Sequence, residues 1–415
     1  MKKKLAIAFL VLVAGYITWE QVKGNIFTWY AVHMMARETD FPATDKPDQL
    51  TLTWAGDPAT TQAINWRTAN LNKEGWAQYR KQGDTAAPLE VKAERVALTD
   101  KALKNDPTID RFTAYLKDLS PAAAYEYRVG DKTADTWTEW RSFKTATAAG
   151  QPFSFLYLGD AQVGLEYYGD LLHRALEKAP DVSFGIVAGD LVNSGACRNE
   201  WDVFFNASSG VFDRKTIVPC LGNHDYQKQE VPEIYLSSFA LPLNGPKDFP
   251  AERAYSFVVG DALFVVLDSN LPAEKDQAQW LEETLKNATQ KWKIAIYHHP
   301  AYCSAPNRDN DGVFDVWSPL FDKYHVDVAL QGHDHAYLRT YPMKAGKRVA
   351  SAAEGTYYVV TVSGTKYYEQ EQHDYAEVAF PEVSTYQVID VTPSRFSYKA
   401  YDYDHQLRDE FSIEK

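Results

Sequence analysis

The stretch VDVALQGHDH, residues 326–335, runs an apolar segment straight into His333-Asp334-His335. A buried strand has no use for two imidazoles at its end, so their placement asks for a second purpose. The same design recurs upstream. FSFLYLGD (153–160) ends at Gly159-Asp160, VSFGIVAGD (182–190) at Gly189-Asp190, TIVPCLGNHD (216–225) at Gly222-Asn223-His224-Asp225, and KIAIYHHP (293–300) at His298-His299. In open α/β sheets, ligands sit beyond the carboxyl ends of the strands. Glycine there lets the backbone turn sharply and approach closely. The five strand ends are therefore expected to converge on one place.

Their chemistry agrees. Carboxylates, an amide oxygen and several imidazoles are ligands for small metal ions. One ion would be crowded by so many donors, whereas two ions sharing a bridging carboxylate would use them all. If residues 333–335 are extended, His333 and His335 point the same way and Asp334 points away.

Around these strands lie helical patterns. EYYGDLLHRALEKA (166–179) and EKDQAQWLEETLKN (274–287) carry apolar residues at helical spacing. Late strands, TYYVVTVSG, TYQVIDVT and RFSYKAYDYD, make residues 151–415 an α/β unit with a β-rich C-terminal part. Ahead of it, residues 48–146 alternate in short runs: LTLTWAG, TQAINWRT, WAQYRK, LEVKAERVAL, RFTAYLKDL, AYEYRVG and WTEWRSFKT. About seven such strands predict an all-β sandwich. LKDLSPAAAYEYRVG resembles the end of a fibronectin type III domain, with Tyr125 at the tyrosine corner. No chemistry-bearing cluster falls in this region, which reads as a structural or adaptor module.

Residues 24–47 read as a connector. Lys2, Lys3 and Lys4 precede an apolar run at 5–19, so residues 1–23 read as either a cleaved export signal or an uncleaved membrane anchor. Both place the bulk of the chain outside the cytoplasm: periplasmic, secreted or anchored. Export permits one disulfide among Cys197, Cys220 and Cys303, leaving one thiol over and the pairing open. The formal charge of −13 argues against a nucleic-acid partner but not against a small phosphate ester, because bound cations reverse the local field.

The ordered strand-end blocks resemble the calcineurin-like metallophosphoesterases. With the fibronectin III-like sandwich in front, the chain from about 48 to 415 is similar to their purple acid phosphatase-like branch. The resemblance implies a four-layer α/β/β/α sandwich and a phosphoric ester hydrolase with acid phosphatase-like activity. It implies two metal ions, divalent or mixed-valence, such as Fe, Mn, Zn or Mg, with metal-bound hydroxide as nucleophile. By motif, Asp160 and His335 would bind one ion, Asn223, His298 and His333 the other, and Asp190 both. His224 would contact phosphate and protonate the leaving group.

Two positions depart from that pattern. Purple enzymes carry Tyr where this chain has Asn193, so a colourless protein is expected, and many relatives carry His where it has Gln162. Gln162 and Asn193 are expected either to ligate through an amide oxygen or to hydrogen-bond around the site. His299, next to His298, is read as bracing the turn, with substrate contact as the alternative. Arg308 is read as a solvated loop arginine, with phosphate contact as the alternative. Rival functions are a phosphodiesterase or pyrophosphatase on the same core, or a non-catalytic adhesion or scaffold protein.

Overall fold

The computed structural model describes residues 35–71, 74–226, 231–270, 274–308 and 310–415, and the signal or anchor at 1–23 lies outside them. Among the described residues, no helix is long and apolar enough to cross a membrane.

Two sheets stack at the centre of the larger unit. One has six strands, in spatial order Thr216–Cys220, Phe184–Ala188, Phe153–Leu158, Thr385–Val391, Arg395–Asp402 and Leu407–Glu414. Its first three strands are parallel, and the C-terminal strands continue it antiparallel. The other has seven: Tyr255–Val259, Ala262–Val266, Trp292–Ile296, Val328–Gln331, Tyr357–Val360, Tyr337–Thr340 and Ala376–Phe380. Edge strands Tyr255–Val259 and Ala376–Phe380 were not marked in the sequence reading, because both are short and flanked by polar turns.

Phenylalanines fill the space between the sheets. Phe155 stacks on Phe184 at 5.0 Å and meets Phe264 edge-on at 5.4 Å. Helices cover the outer faces. Leu165–Lys178 buries Leu165, Tyr168, Leu171, Leu172 and Ala175, the single apolar stripe that its sequence spacing creates. On the other side Leu281, Leu285, Trp317 and Phe321, from helices Glu274–Asn287 and Asp311–Tyr324, pack on the seven-stranded sheet. The layers are therefore α/β/β/α.

The amino-terminal unit is a β-sandwich of a four-stranded and a five-stranded sheet. LEVKAERVAL is not one strand. Leu89–Lys92 and Glu94–Thr99 belong to different sheets, and the chain crosses between them at Ala93, whose N–H donates to Gly75 O. The Tyr125 hydroxyl accepts the Ser120 N–H at 2.9 Å, the bond that defines a tyrosine corner.

The sandwich is clamped to the larger unit by buried charge. Arg67, 1 % exposed, donates to Asp48 at 2.7 Å and to Asp202 at 2.5 Å. Asp202 also accepts from Thr39 and Gln49, while Arg198 reaches Asp106 at 2.9 Å. Trp54 of the sandwich sits against Phe184 and Phe257. The described part of the connector is not loose: Arg37 bonds Asp100 and Asn199, and Thr39 bonds Asp202. Asp202 and Arg198 belong to helix Arg198–Ala207, which follows the loop carrying Asp190. The sandwich thus braces one wall of the site.

The one disulfide that export would permit is not formed. All three cysteines are buried thiols in separate surroundings. Cys197 precedes a helix, Cys220 ends a core strand with its Sγ directed at Leu267 O, and Cys303 sits in a loop with its Sγ on Arg308 O.

Candidate metal centre

Five of the six expected ligands, Asp160, Asp190, His298, His333 and His335, are brought together. Asp160, Asp190, His298 and His335 are buried. Donor atoms of Asp190, His298 and His333 all lie within 4.8 Å of one another, as do those of Asp160, Asp190 and His335. Asp190 belongs to both groups, the position of a shared ligand. The side-chain oxygen of Asn223 is buried without a hydrogen-bond partner, and so is Asp160 Oδ1. Buried polar atoms without partners are costly and rare. Unsatisfied oxygens beside imidazoles grouped around two adjoining points are what a pair of small cations would satisfy.

The local backbone explains the convergence, and it differs from the expected one. Residues 333–335 are not an extended segment. His333 has φ 75° and His335 φ 47°, and Asp160 and Asp190 both have φ 51°. Four of the ligating positions thus take the left-handed conformation, which costs a non-glycine residue of order 1 kcal/mol. Sharp bends, rather than strand alternation, aim the two histidines at the cluster. Glycine is required beside them. A Cβ on Gly222 would lie 2.1 Å from Asp190 Oδ1, and one on Gly332 would lie 2.3 Å from Asp160 Oδ2.

Hydrogen bonds set which nitrogen each imidazole presents. His298 Nδ1–H donates to Ala188 O at 2.9 Å, leaving Nε2 at 3.2 Å from Asp190 Oδ2. His335 Nδ1–H donates to Lys366 O at 3.0 Å, leaving Nε2 at 3.5 Å from Asp160 Oδ1. His224 donates its N–H to Asp190 Oδ1 at 2.8 Å and its Nδ1–H to Asn193 O at 2.7 Å. Asp225 accepts the N–H groups of Gly222, Leu191 and Val192, tying the Asp190 and Asn223 loops together.

The electrostatics are those of a site built for positive charge. Burial and repulsion from Asp190 push the Asp160 carboxyl well above its usual range. Burial would also raise Asp190, but attraction to His298 and hydrogen bonds from His298 and His224 hold it at about 2. Burial opposes the His298 charge, yet Asp190 lifts it to about 9. Burial pushes His335 down to about 3, with Lys366 adding to the effect.

Two family models match this chain, the purple acid phosphatase amino-terminal domain over residues 47–145 and the calcineurin-like phosphoesterase over residues 153–337. Residues 153–337 belong to the calcineurin-like phosphoesterase family. An uncharacterised protein of Mycobacterium tuberculosis is 25 % identical over 273 residues, covering 56 % of this chain and 51 % of that protein. Mouse acid phosphatase type 7 is 26 % identical over 337 residues, covering 72 % and 71 %. The chain spans about half the length of the first curated relatives it matches, at 51 % and 48 %. The purple acid phosphatase of yellow lupin seeds superposes with a TM-score of 0.77 at 17 % identity, covering 89 % of this chain and 74 % of that one. That likeness concerns the fold.

Four further expected residues lie beside these groups. Gln162 Nε2 bonds His335 Nε2 at 2.9 Å, and its Oε1 is buried without a partner, so the amide stands beside the Asp160 group. Asn193 is exposed and enters through its main chain, as the carbonyl that holds His224. His299 Nδ1 meets Ser269 Oγ at 2.9 Å and its ring lies 4.2 Å from that of His333, the bracing arrangement. Arg308 is not a solvated loop residue. It donates to Asp334 Oδ1 at 3.0 Å and His333 O at 3.2 Å, because Asp334, fully buried, needs a counter-charge.

The sequence reading missed one element of the phosphoesterase site. Residues 363–368 follow the strand Tyr357–Val360 and wrap Asp160 and His335. Ser363-Gly364-Thr365, small residues directly after an apolar run, repeat the strand–glycine signal of the other blocks.

Proposed function

We propose that this chain hydrolyses phosphate esters at a two-ion centre, with monoesters as its substrate class. The observation carrying this reading is that two donor groups share Asp190. Asp160, Gln162 and His335 would hold one ion, and Asn223, His298 and His333 the other. Bound ions supply Lewis-acid polarisation of phosphate oxygens and a water acidified toward neutral pH.

The chain's own residues do the rest. Asp190 is kept ionised by His298 and by the His224 N–H, so its two oxygens are available on both sides. His224, with Nδ1–H held by Asn193 O, leaves Nε2 as the atom that exchanges a proton with the leaving oxygen. The left-handed turns fix these groups before substrate arrives, so little reorganisation is needed on binding. Ancestry within the phosphoesterases and an intact donor set support catalysis over a purely adhesive role. An extracytoplasmic location is proposed from the basic and apolar start of the chain.

Elemental analysis of the protein and of Asp190→Ala, alongside turnover of p-nitrophenyl phosphate and bis(p-nitrophenyl) phosphate, tests the proposal. About two metal equivalents, lost in the variant together with monoester turnover, are expected. Metal content and turnover unchanged in the variant would overturn it. A preference for the diester would move the assignment to a phosphodiesterase.

A further inference from the structure

The segment Ser363–Tyr368 is stitched to the Asp160 side of the site through its main chain. Ser363 N–H donates to Gly159 O at 2.8 Å, Gly364 N–H to Asp160 O at 3.0 Å, and Tyr368 N–H to His335 O at 3.1 Å. Lys366 O accepts His335 Nδ1–H. The Tyr368 ring then gathers two cationic side chains and the neutral His335 ring. Its centroid lies 4.8 Å from the Arg308 guanidinium carbon, 5.0 Å from Lys366 Nζ and 4.7 Å from the His335 ring.

The two cations are not equivalent. Arg308 is answered by Asp334 at 3.0 Å. Among the described residues no carboxylate pairs with Lys366, which is half-buried and held over an aromatic face. In a chain of net charge −13, an unanswered lysine whose own carbonyl holds His335 is not a by-product of a basic surface. A cation on an aromatic face gains modest attraction and loses side-chain freedom before any ligand arrives.

Resting on the phosphoesterase reading above, we propose that Lys366, positioned by Tyr368, is a specificity-determining residue that binds a second anionic group of the substrate. Preferred substrates are then organic phosphates that carry a further phosphate or carboxylate within reach of the lysine. A simple aryl phosphate would leave Lys366 unused.

The test is calorimetric binding of propylphosphonate and of propane-1,3-bisphosphonate to the metal-loaded full chain. Metal content is measured on each variant, and the ratio of the two affinities is the readout. In the wild type the bisphosphonate is expected to bind about tenfold more tightly, the scale of one charge-assisted contact. Lys366→Gln should bring the ratio to about 2, Lys366→Glu should invert it, and Lys366→Arg should restore it. A wild-type ratio near one, or a ratio that survives Lys366→Glu, overturns the proposal. Turnover of p-nitrophenyl phosphate is followed separately. A Lys366-dependent ratio without ester turnover would keep the subsite and remove the hydrolase reading.

Discussion

His333 Nδ1 lies 3.2 Å from His298 Nε2, although the two residues come from the ends of different strands. His298 has already given its Nδ1–H to Ala188 O, so two ring nitrogens face each other beside Asp190 Oδ2. Burial and the neighbouring His298 push His333 far below the usual imidazole range, so its ring stays neutral. A bound cation would take the place of the proton that His298 Nε2 shares with Asp190.

His333→Ala should therefore remove about one metal equivalent and leave the Asp160 group loaded. Turnover should fall by at least about a hundredfold, the upper scale for outer-shell changes at metal sites. Elemental analysis with steady-state kinetics checks both. Loss of both ions at once would show that the groups do not fill independently.

His299 gives a pH-dependent signature. Burial, reinforced by the charge of His298, holds its ring down at about 3. The unfolded chain therefore takes up a proton below ~6.5 that the folded chain refuses. The His299 contribution is full above that pH and shrinks as pH falls, by up to about 1.4 kcal/mol per unit. His299→Gln removes this dependence. In chelator-treated protein, the stability of the variant relative to wild type should rise between pH 7 and pH 5, read from paired denaturant titrations. A difference independent of pH would show that His299 titrates normally.

Asp225 holds two ligand loops through the N–H groups of Leu191, Val192 and Gly222. Asp225→Ala leaves these donors without their acceptor in a dry interior, at a cost of about 1–3 kcal/mol each. Asp225→Asn keeps one acceptor oxygen and should cost less. Unfolding midpoints rank the two, and metal content should fall in the same order. Equal effects would mean that the charge and second oxygen lost in both variants, not the acceptor that Asn keeps, matter.

By the family resemblance Asn193 replaces the phenolate that iron charge transfer would need, and it reaches His224 through its main-chain carbonyl. Iron-loaded protein should lack a visible charge-transfer band. A coloured protein would show that another tyrosine ligates, and Tyr226 is badly placed for that, since it donates to Asp268 and is pushed far above the usual phenol range by burial.

The residues that close each apolar run were legible in the linear chain, because strand periodicity is local and ligands collect beyond strand carboxyl ends. The strand-end blocks were found on that basis, the choice of Asp160, Asp190, Asn223, His298, His333 and His335 within them came from the family resemblance, and the sheets bring Asp160, Asp190, His298, His333 and His335 into two donor groups. Alternation also marked the sandwich, although not the change of sheet at Ala93.

Contacts between distant segments could not be read the same way. Arg67 meets Asp202 across 135 residues, Arg308 is claimed by Asp334, and Lys366 rests beside His335. None of these pairs follows from local spacing. Each depends on which strands neighbour one another and which loops then pack, and long-range closure is set by the burial of whole sheets. The left-handed turns at the ligands arise in the same way, since isolated Asp and His residues disfavour them and only the surrounding fold supports the strain.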